Sequence, residues 1–131
     1  MGSLSNYAEN KILDHLVGKT SWTMPSIWIA LSTADPTESG ASIAEPSGNN
    51  YARKSTAGAD WVAASGGACD NGNAITFNQA SGSWGTITHF ALFDASTSGN
   101  MIAYGQLTTS KAITTGDTPQ FAVGALDITL D

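Results

Sequence analysis

The run Gly85-Thr86-Ile87-Thr88-His89-Phe90-Ala91-Leu92-Phe93-Asp94, the linker Ala95-Ser96-Thr97-Ser98-Gly99-Asn100 and the run Met101-Ile102-Ala103-Tyr104-Gly105-Gln106-Leu107 together decide the fold. In residues 86–94, Ile87, His89, Ala91 and Phe93 share one side, and Phe90 and Leu92 the other. A period of two belongs to a strand, and apolar side chains on both faces belong to a strand covered above and below. Residues 96–100 are small and polar and end in Gly-Asn, as hairpin loops do. Residues 86–94 and 101–107 are therefore expected as a strand pair buried at the centre of a sheet.

Upstream, Ser26 to Ser32 alternates in the same way, with Ile27, Ile29 and Leu31 on one face and Trp28 and Ala30 on the other. Thr33 to Asn50 reads as a long loop, punctuated by Asp35-Pro36, Gly40, Pro46, Gly48 and Asn49-Asn50. Tyr51 to Ser55 is a short strand, and Ala57 to Asn73 is small-residue sequence anchored by Trp61-Val62. Ala74 to Phe77 is a further strand, followed by a loop from Asn78 to Trp84. Downstream, residues 110–114 and 120–130 pair across Thr115-Gly116-Asp117. Phe121 and Val123 share one parity, and Leu126, Ile128 and Leu130 share the other, which predicts a β-bulge at Gly124.

The first residues change period. Ala8, Ile12, Leu13, Leu16 and Val17 recur at spacings of three and four, which predicts one amphipathic helix over 5–17. Asn6 and Glu9 have the spacing of a capping box, and Gly18 suits the left-handed stop. The expected architecture is mainly β: an antiparallel β-sandwich over 26–131, with the N-terminal α-helix packed on an edge or an end. At 131 residues the chain has the size of a single domain, 1–131.

Composition narrows the function. The net charge is −6 and only 12% of residues are charged, which excludes the basic stripe that nucleic acid or an anionic membrane surface requires. No apolar run reaches the length of a bilayer span. Fifteen Ser, fifteen Thr and fourteen Gly take the place of the usual Lys and Glu, which suits turn-rich β structure and close contact with neighbouring chains. The lone Cys69 excludes an intramolecular disulfide.

Catalytic patterns are missing: there is no phosphate-binding loop, nucleophile elbow or Cys-x-x-Cys. His15 sits at the end of the predicted helix, where it complements the dipole. His89 reads as a core or interface residue. A triad of Ser96, His89 and Asp94 is a coincidence expected of a serine-rich chain. Asp70-Asn71-Gly72-Asn73 reads as a turn rather than a cation loop, and Cys69 as a small buried hydrophobe. No catalytic residue, metal ligand or cofactor is assigned. Tyr51, Trp61 and Trp84 are the candidate interface residues. Trp61 stands alone in a polar stretch, and Trp84 has a competing role as a loop anchor.

Leu4-Ser5-Asn6-Tyr7-Ala8-Glu9-Asn10-Lys11, running into Leu13-Asp14-His15-Leu16, resembles the opening of a family of small tailed-bacteriophage virion proteins. The resemblance continues through Ile29-Ala30-Leu31-Ser32-Thr33, Asn50-Tyr51-Ala52-Arg53 and, most strongly, Ser83-Trp84-Gly85-Thr86-Ile87-Thr88-His89-Phe90. Members of that family are labelled tail-fibre or minor tail proteins. The resemblance implies a non-enzymatic structural protein of the virion, assembled in the host cytoplasm. Its expected partners are its own copies, as a homotrimer, and other capsid or tail proteins. The chain has no stalk-forming repeat, which puts head decoration slightly ahead of the tail tip or fibre. In the expected mechanism, loops 33–50 and 57–73 lie across neighbours and bury Trp61 and Tyr51. The competing function is a fibre knob that stacks a host-surface glycan on Trp61.

Overall fold

The computed structural model describes residues 2–130; Met1 and Asp131, the ends of the expected 1–131 domain, lie outside the described residues. In chain order the elements are β1 (Gly2–Leu4), α1 (Asn6–Leu16), β2 (Ile27–Ser32), β3 (Lys54–Thr56), a 3-10 turn (Gly58–Asp60), β4 (Ala68–Asp70), β5 (Ile75–Thr76), β6 (Gly85–Phe93), β7 (Met101–Ile113), β8 (Gln120–Phe121) and β9 (Asp127–Thr129). Seven strands form one sheet in the order β3-β2-β6-β7-β1-β9-β4, and β5 pairs with β8 in a second, small sheet. The fold is mainly β with one helix, built on a large curled sheet in a sandwich-like arrangement.

The hairpin is central, as its two apolar faces require. Phe90 pairs with Gly105, Ala91 with Tyr104 and Leu92 with Ala103. On the other side of β6, β2 pairs from Trp28↔Phe93 to Ser32↔His89. One face of this sheet carries the main core, with Ile29, Leu31, Ile87, Phe90, Leu92 and Ile113 among its buried residues. Ile75 and Phe77 close over it, with Phe121 packed against them. The opposite face buries a smaller cluster of Ala30, Ala91, Phe93 and Met101, with Ile43 packed on it.

Several expectations are corrected. The return strand does not stop at Leu107; it runs to Ile113 and stays paired with β6, through Gly85↔Ile113 and Ile87↔Lys111. Between Ile87 and His89 the partner jumps from Lys111 to Gln106, so residues 107–110 bulge out of the ladder. This irregularity puts Ile87 in the core of Phe90 and Leu92, not on the face of Ala91 and Phe93. Residues 110–114 and 120–130 are consequently not a hairpin. β8 pairs with β5, and β9 pairs with β1 and β4. Gly124, at φ +76°, lies in a turn between β8 and β9 rather than at a bulge within one strand. The sheet is mixed, because Gly2 of β1 runs parallel to Ile128 of β9.

β1 also changes the helix start. Its ladder with β7 (Gly2↔Gly105 to Leu4↔Ala103) delivers Ser5 in extended conformation, and Ser5, not Asn6, caps α1. Its Oγ accepts from the Ala8 N–H at 3.2 Å and donates to the Met101 carbonyl. At the far end Gly18 adopts φ +77°. The Gly18 N–H reaches the His15 carbonyl and the Lys19 N–H the Asp14 carbonyl, a Schellman closure. The apolar stripe does not pack on the sandwich as expected. Ala8 is the one buried residue of α1, and every residue from Leu13 to Ser21 is exposed. The helix docks by its first turn, and its last turn meets the returning chain where the Trp22 N–H donates to His15 Nδ1 at 3.2 Å.

Candidate association and binding surfaces

Of the three candidate interface residues, Trp84 is corrected outright. It is 3% exposed, its Nε1–H donates to the Asn49 carbonyl at 2.8 Å, and it offers a neighbour no surface. Its indole meets the Tyr51 ring edge-on at 5.2 Å. Tyr51 is half-buried beside it and anchors loop to sheet. Its hydroxyl accepts from the Leu31 N–H at 3.0 Å and donates to Glu45 Oε1 at 2.8 Å. Burial pushes the phenol far above its ordinary value of 10.0, and Glu45 adds to the rise, so the hydroxyl keeps its proton. Trp61 is half-buried, packs against the main core and donates from Nε1 to Thr56 Oγ1 at 2.9 Å. The three residues are held by internal partners and do not form one shared surface.

Loop 33–50 is likewise occupied at home. The Thr33 N–H donates to the Ala44 carbonyl, and Ser32 Oγ accepts from the Ala34 and Ala44 N–H groups. Pro36 is fully buried, and Gly40 lies so close to Met101 that a Cβ there would sit 3.2 Å from the Met101 Cβ. The loop covers the smaller core of its own chain.

Beside that core lies a charged cluster absent from the sequence reading. Arg53 is buried and forms a bidentate pair with Glu45, Nε to Oε1 at 2.9 Å and Nη2 to Oε2 at 2.8 Å. Nη1 donates to the carbonyls of Ala95 and Ser98, both at 2.8 Å, and the guanidinium stands 3.8 Å from the Phe93 ring centroid. The pair ties loop 33–50 to the hairpin loop. Eight residues and no shared periodicity separate Glu45 from Arg53, so sequence spacing gives no sign of the pairing. Between the two loops lies an open groove of about 440 Å³, lined by Trp28, Tyr51 and Arg53 among others.

The remaining polar candidates are structural in geometry. Asn71 is fully buried; its Nδ2 donates to the Asn73 and Ala122 carbonyls, and its Oδ1 accepts from the Leu126 N–H. Asn71 therefore pins the turn at Gly124 onto the turn that follows β4. His89 Nδ1 is 2.8 Å from Thr88 Oγ1, and its Nε2 is 4.0 Å from Asp35. Burial, with Asp70 adding, pushes the Cys69 thiol above its ordinary range, away from the reactive thiolate.

The exposed apolar surface lies elsewhere. Leu16 and Val17 are each 75% exposed and Met24 is 90% exposed, with Leu13 beside them on α1. Val62, Val123 and Leu130 are also exposed. The stripe at 13, 16 and 17 was legible as a stripe; that it stays exposed among the described residues was not.

No curated protein matches the chain. A family model described as podophage GP4 fiber I protein gp80 matches residues 3–129, from β1 to the end of β9. The chain therefore belongs to this phage fibre family, and is a structural protein of the virion.

Proposed function

We propose that the protein is a non-catalytic association module on the exterior of the particle, joined to further copies of itself through the exposed face of α1. The observation that carries this reading is the exposed stripe of Leu13, Leu16 and Val17. An isolated helix this short is marginal in water and is normally held by packing along its apolar face. Here Ala8 in the first turn is the one buried residue of the helix, and Leu13, Leu16 and Val17 stay exposed. Its flanks carry both signs, Glu9 and Asp14 against Lys11 and Lys19, so like copies can approach without a one-sided charge clash. A closed trimer about a threefold axis would bury the three stripes together. The fibre designation of the family favours a tail location over head decoration.

Sedimentation velocity tests the association. The wild type is expected as a trimer, and Leu16→Glu with Val17→Glu as a monomer with an unchanged far-ultraviolet spectrum. A wild type that stays monomeric and does not rebind stripped particles overturns the reading. Antibody labelling of intact particles tests the location: label on the fibres supports it, and label on the heads moves the module to the capsid.

A further inference from the structure

We propose that the groove between loop 33–50 and the hairpin loop binds a neutral saccharide, with Trp28 as the stacking residue. This goes beyond the association reading and does not depend on it. Three observations carry the proposal. The first is the Trp28 indole. Trp61 and Trp84 donate their indole N–H to Thr56 and Asn49, whereas the Trp28 N–H has no hydrogen-bond partner among the described residues. No buried side-chain nitrogen or oxygen among those residues lacks a partner, so this N–H reaches solvent. Trp28 is also half-buried, on a central strand whose ladder pairs it with Phe93 of β6. It lines the groove and carries an open donor.

The second observation is the rim. Ser47 from one side and Ser96, Thr97 and Ser98 from the other line the groove, and their hydroxyls make no hydrogen bond within the protein. Ser32, Ser39 and Ser83, by contrast, accept from backbone N–H groups. Free hydroxyls around an aromatic side chain match a ligand with an apolar face and a hydroxylated edge, which describes a pyranose ring. The volume of about 440 Å³ has room for a short saccharide.

The third observation is the charge in the lining. Arg53 is already bidentate to Glu45 and holds two carbonyls, so no unpaired guanidinium is offered to an anion. The chain as a whole carries −6, which further disfavours acidic sugars. The ligand class is therefore neutral.

Proton–nitrogen correlation spectra of the full chain test the proposal, because each of the four tryptophans gives one indole signal. Trp28→Phe assigns the Trp28 signal. Titration with methyl hexopyranosides is expected to move that signal in a saturable way and to leave the Trp84 signal in place. Trp28→Ala is expected to weaken binding at least about tenfold, the scale of one aromatic anchor. Thr97→Ala, at an exposed position outside the core, is expected to weaken it without altering the fold, which keeps the test decisive should Trp28→Ala not fold. An unmoved Trp28 signal at high millimolar neutral sugar overturns the proposal. So does a response confined to uronic or sialic acids, or unchanged affinity in a folded Trp28→Ala protein.

Discussion

At the scale of single residues, Tyr51 shows how one hydroxyl can join two parts of a fold. Its ring packs on Trp84, and its oxygen bridges the Leu31 N–H of the central sheet and the Glu45 carboxylate of the loop. Tyr51→Phe leaves that N–H and that carboxylate each short of a partner and is expected to cost about 1–3 kcal/mol. A lower denaturation midpoint at unchanged slope would register this loss. The pH dependence follows from burial, which raises the ionisation of the folded phenol above 10.0. The neutral form is favoured in the folded state, so the contribution is complete below 10.0 and is lost as the pH rises above it. Alkaline titration of stability should therefore fall more steeply for wild type than for Tyr51→Phe. Trp84 was half legible in the sequence: an indole between Ser83 and Gly85 at a strand start marks an anchor or a contact, and only the packing decides. Gly2 was not legible at all. A Cβ there would lie 2.9 Å from Phe90 Cζ and 3.0 Å from both Ile128 Cδ1 and the Tyr104 carbonyl, contacts made by three distant segments.

At the scale of elements, periodicity told where the helix and the main strands lie, and told little about what covers them. Spacings of three and four located α1 to within a residue at each end, but could not say that only Ala8 of the helix would be buried. This difference separates two substitutions. Ser5→Ala removes the cap and the bond to the Met101 carbonyl and is expected to cost about 1 kcal/mol. Leu16→Ala, on the open stripe, is expected to change the stability of the monomer by less than about 0.5 kcal/mol. Thermal unfolding of dilute samples distinguishes the two, and a large loss at Leu16 would mean that the stripe is covered within one chain. The segment 57–73 is held differently. Asp60 accepts from the Ala57 N–H at 2.9 Å and from Asn73 Nδ2 at 3.1 Å, and these bonds, the backbone one first, hold its carboxyl below the ordinary 3.8. The contribution is present above 3.8 and is lost as the pH falls through the lower folded value. Acidification should loosen this segment first, with amide exchange at Asp60, Trp61 and Gly72 accelerating before that of β6. Equal acceleration in both places would contradict the assignment.

At the scale of the whole molecule, the two ends of the described chain meet inside one sheet. β1 lies between β7 and β9, and β9 carries β4 at the far edge. Strand pairing between the first and last residues has no signature in local pattern, which is why residues 2–4 read as unassigned and 120–130 as one arm of a hairpin. The topology predicts an unequal response to truncation. Without residues 2–4, β7 loses its partner on that side, and β9 loses the ladder that joins it, among the described residues, to the β2–β6–β7 body of the sheet. The hairpin and β2 keep their ladders and the core around Phe90 and Leu92. Closing a sheet between distant ends carries a high entropic cost, which the pairing of β1 on both sides has to offset. Removal of residues 2–4 should therefore abolish amide protection at Cys69, Ile128 and Thr129 while protection at Ala91 and Leu92 persists. The unfolding transition should lose its single-step character, and the newly open edge of β7 should promote association through strands rather than through α1. Retained protection at Ile128 after truncation would show that β9 is held by its side-chain packing and not by β1, and the two ends would then be independent.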